Sequence, residues 1–296
     1  MGKERFVIIG GGRVGGVLAY HLQTAGFGVT GIVETSEQRR RRLQTLFPQI
    51  PLSQNLPSEW IPACDCLLIC VPDDAIPALV QQLQAHRTFW KHHILAHTSG
   101  VLPASILQPL KTAFVYLASV HPIFSFSTRP PSQHSLGGVY FDLEGDREAV
   151  AWFRSVITRL GGRCLTVTAR QKKAIHLASV FYSNFLVGLV EGAQQILKQA
   201  GLSPPFHLEP FLPLVQATLE NLSTLPPIEA LTGPLKRGDV STVRAHLEWL
   251  RQHLPSWFPV YTAICQALLP SLDLPPEKRH QLNRLFEKPW NGSDTP

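Results

Sequence analysis

The chain has 296 residues, 44% of them hydrophobic and 16% charged, which supplies enough apolar material for two ordinary domains with a core each and excludes intrinsic disorder. The net charge is +6, but the one dense basic cluster, residues 39–42, has no interleaved aromatic residues, so the composition argues against a nucleic-acid partner and for an anionic small molecule. The five cysteines are odd in number and three of them, Cys64, Cys66 and Cys70, fall in one apolar run, so they read as reduced core thiols in a cytoplasmic protein. No CxxC or HxxxH spacing falls in a turn or on one helical face, and no metal site is expected.

The first residues lead directly into an apolar strand rather than a secretory leader. A short apolar run at 6–9 meets a glycine cluster at 10–16 and then an apolar-periodic helix ending at Gly26. The alternation continues with a strand at 29–33, a helix at 36–46, a strand at 66–71 and a helix at 76–83. Strands at 94–96 and 113–120 follow, with a short helix around Ile106 between them. The last such units are strands at 139–143 and 164–167, separated by a helix at 147–160. Strands and helices in turn predict an α/β domain with a parallel, doubly wound sheet.

Beyond residue 168 helical periodicity takes over, and a domain boundary is expected there: 1–168 for the α/β domain and 169–296 for an all-α domain. The helical part opens with one long helix over 170–200, closed by Gly201 and the prolines at 204 and 205. Helices at 212–225, 240–253 with Asp239 as N-cap, 260–269 and 277–286 follow, and residues 288–296 read as a polar tail. The apolar stretch 175–197 contains His176, Ser183, Asn184 and Glu191, which a membrane span tolerates poorly, so a soluble protein is expected.

Gly10-Gly11-Gly12-Arg13-Val14-Gly15 satisfies GxGxxG between the first strand and the first helix, the position at which a Rossmann domain binds the pyrophosphate of a dinucleotide. Gly10 serves the tight turn, Gly12 the approach of the pyrophosphate and Gly15 the packing of helix on strand. Glu34, at the end of the second strand, stands where an acid takes the ribose hydroxyls, which leans the cofactor toward NAD. Arg39 and Arg40 follow closely enough to hold the 2′-phosphate of NADP, so the cofactor expectation is NAD(P).

Val71-Pro72-Asp73-Asp74 and His97-Thr98-Ser99-Gly100 each follow a strand, at the carboxyl edge where such sheets bind ligands. Val71, Pro72 and Asp73 are candidates for the cofactor, with helix capping as the competing role for Asp73 and Asp74. Ser99 and Gly100 are candidates for holding a substrate carboxylate. Lys172, His176, Ser179 and Ser183 recur at i, i+4, i+7 and i+11, a polar stripe on an otherwise apolar helix. It is either a catalytic wall or a buried polar network. Several short apolar helices around one long helix leave apolar face uncovered, which predicts a homodimer through the helical domain.

These motifs, together with Ser119-Val120-His121-Pro122, the run from His176 to Asn184, Leu231-Thr232-Gly233-Pro234 and Arg237-Gly238-Asp239, resemble a family of bacterial Rossmann-like proteins with a C-terminal helical domain of unknown function. That family is related to the 6-phosphogluconate, 3-hydroxyisobutyrate, ketopantoate and pyrroline-5-carboxylate enzymes, and the resemblance covers nearly the whole chain. It implies a substrate clamp at Ser99-Gly100 and a catalytic lysine at Lys172. His176 stands where the related dehydrogenases carry Asn, and His121-Pro122 resembles the His-Pro of prephenate dehydrogenases.

The expected function is therefore hydride transfer between NAD(P)H and a small anionic oxo, hydroxy or imino acid. Lys172, His176 and His121 would handle the proton, and Ser99, Gly100, Ser183, Asn184 and Arg237 would hold the substrate. The alternatives are a non-catalytic NAD(P)-binding regulator and a prephenate-type dehydrogenase.

Overall fold

The computed structural model describes residues 4–89, 93–202 and 209–287, with the side chains of 87–89 excepted. The prolines at 204 and 205 and the tail at 288–296 lie outside the described residues. The chain divides into two compact units, 1–183 and 184–296. That division falls later than the expected boundary at 168, because the helix after the last strand stays with the sheet.

In the first unit the strands are β1 (Arg5–Ile9), β2 (Gly28–Val33), β3 (Leu52–Ser53), β4 (Cys66–Ile69), β5 (His93–His97), β6 (Val115–Pro122), β7 (Tyr140–Gly145) and β8 (Arg163–Thr166). They form one sheet in the order β3-β2-β1-β4-β5-β6-β7-β8. The helices are α1 (Arg13–Thr24), α2 (Glu37–Leu46), α3 (Ile76–Leu83), α4 (Arg147–Arg159) and α5 (Ala169–Ser179). The period-2 alternation of β1 shows why the sheet is covered on both faces: Phe6 and Ile8 pack into the core beneath α1, α2 and α4, and Val7 and Ile9 into the core beneath α3.

The expectation of a wholly parallel sheet is corrected at one pair. β7 runs antiparallel to β6, placing His121 opposite Asp142, while β8 is parallel to β7. The connection from β6 to β7 carries only a single short 3-10 turn, 131–133, rather than a crossover helix, so the strand returns in the opposite direction. The two-residue β3, paired with β2, is too short to carry a pattern in the sequence.

The expected single helix over 170–200 is also divided. α5 starts from a capping box between Thr168 and Gln171, passes through a π-helical turn, Val180–Phe185, and continues as α6 (Leu186–Gln199), with Gly201 in the left-handed conformation closing it. The wider turn breaks the i, i+4, i+7, i+11 register. The stretch Ala169–Gln199 is long and apolar enough to cross a membrane by length and composition.

The second unit continues with α7 (Leu212–Thr224), the single turns α8 (Pro227–Ala230) and α9 (Pro234–Arg237), α10 (Val240–His253), α11 (Phe258–Leu268) and α12 (Pro276–Glu287). Its core is built by Val243, Leu247 and Leu250 of α10 against Phe258, Cys265, Leu282 and Phe286. Asp239 holds the N-cap position of α10, but its carboxylate takes the Arg237 guanidinium instead of a helix N–H. α7 buries none of its residues, and Leu214 and Leu219 are 66% and 54% exposed.

Candidate active site

β1 ends at Ile9 and the backbone turns at Gly10, whose φ of 101° and close approach to Cys70 leave no place for a side chain; a Cβ would lie 2.6 Å from the Cys70 carbonyl oxygen. A Cβ on Gly15 would strike the Gly10 carbonyl, so α1 can press against the turn only because position 15 is glycine. Gly12 is different. It stands at the N-cap of α1, and its Cβ would meet nothing within 4 Å. The turn therefore leaves open space in front of a helix N-terminus with free N–H groups, the arrangement that takes a pyrophosphate.

A cavity of about 820 Å³ opens there, within the size range of sites for cofactors and small molecules. Gly10, Gly12, Arg13, Val14 and Glu34 line one end, and Val71, Pro72 and Asp73 line it where β4 ends. Gly11 and Gly15 support the turn from behind, with Gly11 donating its N–H to Glu34 at 3.1 Å. Asp73 and Asp74 do not cap: the 3-10 turn they open has Pro72 at its N-cap, and no side-chain bond is made.

Glu34 is buried, and both its carboxylate oxygens are engaged. Oε2 accepts from Gly11, and Oε1 accepts from the Ser36 N–H at 2.8 Å and from Arg39 at 2.9 Å. Burial pushes this carboxyl up, but the hydrogen bond from Arg39, the Ser36 N–H, the Arg39 charge and the Gly11 N–H outweigh it, so the group stays ionised below its ordinary value. Arg40 turns away from the cavity and donates to the Glu34 and Thr35 carbonyls at 2.6 and 2.7 Å. Its expected role at a 2′-phosphate is thus replaced by a structural one.

At the other end of the same cavity lie Thr98, Ser99, Gly100, His121 and His176. The β6–β7 pairing sets Asp142 beside His121, whose Nδ1 bonds Asp142 Oδ2 at 2.8 Å, while Lys172 Nζ donates to Oδ1 at 2.7 Å. Asp142 and Lys172 are both completely buried. Burial pulls the Lys172 ammonium below its ordinary value, and the bond to Asp142 and its charge pull in the opposite direction without cancelling it. Lys172 was expected at the reacting centre; the structure sets it behind Asp142, out of the cavity lining, because a lysine one turn into α5 reaches the sheet rather than the cleft.

The His121 and His176 rings meet edge to face, centroids 5.7 Å apart, and both press on Gly100, where a Cβ would collide with His176 Nδ1 and His121 Nε2. His176 Nδ1 is buried with no hydrogen-bond partner in the protein. Burial first, and the neighbouring His121 second, lower the His176 pKa, so this imidazole is neutral near neutral pH. A neutral ring with an unsatisfied nitrogen at the cavity wall is suited to hydrogen-bonding a bound molecule.

Ser99 serves the backbone more than the cavity. Its Oγ accepts from the Val101 and Leu102 N–H groups at 3.2 and 2.9 Å, which corrects the expectation of a freely available clamp and leaves only its proton to donate. His97 holds the same turn: Nδ1 accepts from the Ser99 N–H, and Nε2 donates to the Pro103 carbonyl at 3.1 Å, with burial taking its pKa down to about 4. The polar stripe is not continuous either. Ser179 bonds the Ile175 carbonyl, and Ser183, in the π turn, is absent from the cavity lining. Asn184 and Arg237 belong to the second unit, where Arg237 is occupied by Asp239.

Asp142 is the residue missing from the sequence reading. Its signal was an acid in mid-strand, Tyr-Phe-Asp-Leu-Glu, which a half-buried strand accepts only when the carboxylate has a partner.

A mostly parallel, doubly wound sheet with a GxGxxG turn, followed by an all-helical part, defines a Rossmann-type protein with a C-terminal helical domain. Residues 3–122 match the model of a Rossmann-like domain, and residues 139–268 match that of a domain of unknown function, DUF2520. The two matches follow one another along the chain, in the domain order expected from the sequence.

Among solved structures it is similar to a candidate NADP oxidoreductase from Bacteroides fragilis, 22% identical over 90% of this chain and 98% of that one, with a TM-score of 0.73. An imine reductase from Myxococcus stipitatus in complex with NADP+ is 13% identical over 96% of this chain and 100% of that one, with a TM-score of 0.65. The prephenate dehydrogenase from Aquifex aeolicus is 14% identical over 68% and 72%, with a TM-score of 0.51. These likenesses are of fold. No curated protein matches the chain by sequence.

Proposed function

We propose that the protein is a cytoplasmic NAD(P)-dependent oxidoreductase acting on a small anionic oxo, hydroxy or imino acid. The observation that carries this reading is that one cavity holds both an open dinucleotide turn and a histidine oriented by a buried, ion-paired carboxylate. A protein that only sensed the cofactor would have no use for the second feature. The residues fit a dinucleotide, because the space beside Gly12 faces the N–H groups that begin α1. When bound, the nicotinamide ring supplies or accepts the hydride.

The chain's own residues perform the proton step. Asp142 accepts from His121 Nδ1–H and so fixes the ring's tautomer, leaving Nε2 beside Gly100 to give a proton to, or take one from, the substrate oxygen or nitrogen. Lys172 holds Asp142 in place through its bond to Oδ1. His176 hydrogen-bonds the substrate through its open nitrogen. A homodimer accounts for the exposed apolar residues of α7, with a second copy of the same helix as the partner.

The test is consumption of NADH and NADPH with panels of 2-oxo acids, cyclic imines and 3-hydroxy acids, by wild type, His121→Asn and His176→Asn. Removing a general acid lowers turnover by about 10² to 10⁴, so His121→Asn should fall in that range, while His176→Asn should chiefly raise KM. Absence of turnover across the panels together with absence of dinucleotide binding would overturn the reading.

A further inference from the structure

A second cavity, of about 290 Å³, adjoins the first on the far side of the glycine turn and shares Gly12, Arg13 and Arg39 with it. Its polar wall is formed by Arg42 of α2 and by Ser127, Thr128 and Arg129 from the connection between β6 and β7, and its apolar wall by Val17, Leu43, Leu46 and Pro131. Four arginines thus line one small space. Among the described residues only Arg39 of the four has a carboxylate partner, Glu34, and Arg13, Arg42 and Arg129 have none. Uncompensated arginines converging on a concave surface are held apart by their mutual repulsion unless an anion joins them.

The connection that brings Arg129 here is held in place. The 3-10 turn Pro131–Gln133 starts with a buried Pro131 packed near Gly16 of α1, His21 bonds the His134 carbonyl at 2.6 Å, and Arg42 reaches the Thr128 carbonyl at 3.5 Å. The backbone of this connection is therefore anchored against α1, and it presents the exposed Arg129 toward the exposed Arg42.

We propose that this pocket is the subsite for the 2′-phosphate of the dinucleotide, made by Arg42 and Arg129 with Ser127 and Thr128, and reached past Arg39. The inference rests on the dinucleotide reading given above. Glu34 lies at the end of β2 where the adenosine ribose is held in such domains. Because Arg39 neutralises that acid, Glu34 does not repel a phosphate but positions the first arginine at the mouth of the pocket. Arg129 comes from a part of the chain remote from the glycine turn, and Ser127 and Thr128 add hydroxyl groups at the same place. The protein accordingly discriminates in favour of NADP(H).

Calorimetric titration of the intact protein with adenosine 2′,5′-bisphosphate and with adenosine 5′-phosphate tests the subsite without any turnover, alongside NADP+ and NAD+. Charge-assisted bonds from two arginines predict that the bisphosphate binds at least about tenfold more tightly, and that Arg42→Ala with Arg129→Ala removes this preference and leaves adenosine 5′-phosphate binding unchanged. Arg41→Ala, whose side chain pairs with Glu37 on the surface, is the control and should retain the preference. Equal affinities in the wild type, with both dinucleotides still binding, would overturn the subsite alone. A parallel loss of both nucleotides in the double variant, with the fold retained by circular dichroism, would also overturn it. Failure of every nucleotide to bind would bring down the dinucleotide reading with it.

Discussion

Lys172 Nζ and Asp142 Oδ1 stand 2.7 Å apart with neither side chain exposed, an ion pair joining α5 to the strand that carries the histidine's partner. Breaking such a pair on one side leaves an uncompensated buried charge, which costs about 3–5 kcal/mol. Asp142→Leu should show a loss of this order in chemical denaturation. Adding Lys172→Met should recover most of that stability, since both charges are then gone. Turnover should stay low in the double variant, because His121 has lost the acceptor that sets its tautomer. Recovery of turnover together with stability would show the pair to be purely structural.

Gly12→Val should abolish dinucleotide binding and leave the cooperative unfolding transition close to that of the wild type. The Cβ of position 12 meets nothing in the protein, so the added methyl groups occupy the space in front of α1 and not the core. Gly15→Ala should instead unfold or distort the turn, as its Cβ would strike the Gly10 carbonyl. Titration calorimetry and thermal melts on the two variants separate the effects.

His97 should make the fold acid-sensitive. Its pKa is near 4 in the folded chain and about 6.5 when exposed, so the unfolded state binds the extra proton in between. Above pH 6.5 both states are neutral there and nothing is lost. As the pH falls from 6.5 to about 4, roughly 3 kcal/mol of stability should disappear, after which the contribution levels off. His176, also lowered by burial, acts in the same direction. Urea unfolding across this range should give a flatter curve for His97→Gln than for the wild type, and parallel curves would reject the assignment.

Light scattering at micromolar concentration should give twice the chain mass. Leu214→Glu with Leu219→Glu, on the exposed face of α7, should convert the protein to monomer with little loss of the first unit's thermal transition. A wild-type monomer, or a variant that remains dimeric, would remove α7 as the interface.

Much of the protein was legible in its residues, because the signals involved are local. Period-2 strands alternating with 3.6-period helices call for a doubly wound sheet, and the three spaced glycines, read between a strand and a helix, mark the turn that opens onto the cavity. The wrong or missing assignments all depended on which distant segment lies alongside. The antiparallel β7 follows from the absence of a crossover helix between β6 and β7, and only that register sets Asp142 opposite His121. Lys172, Ser99 and Arg40 have the residue types a binding site uses, yet buried or backbone partners claim them, and a partner tens of residues away leaves no pattern along the chain. Arg129 shows the reverse: a residue in an unremarkable loop becomes part of a charged pocket because that loop rests on α1. Helical and strand periodicity are properties of the backbone and can be read in order, whereas the charge that a side chain meets in the folded state is decided by tertiary packing.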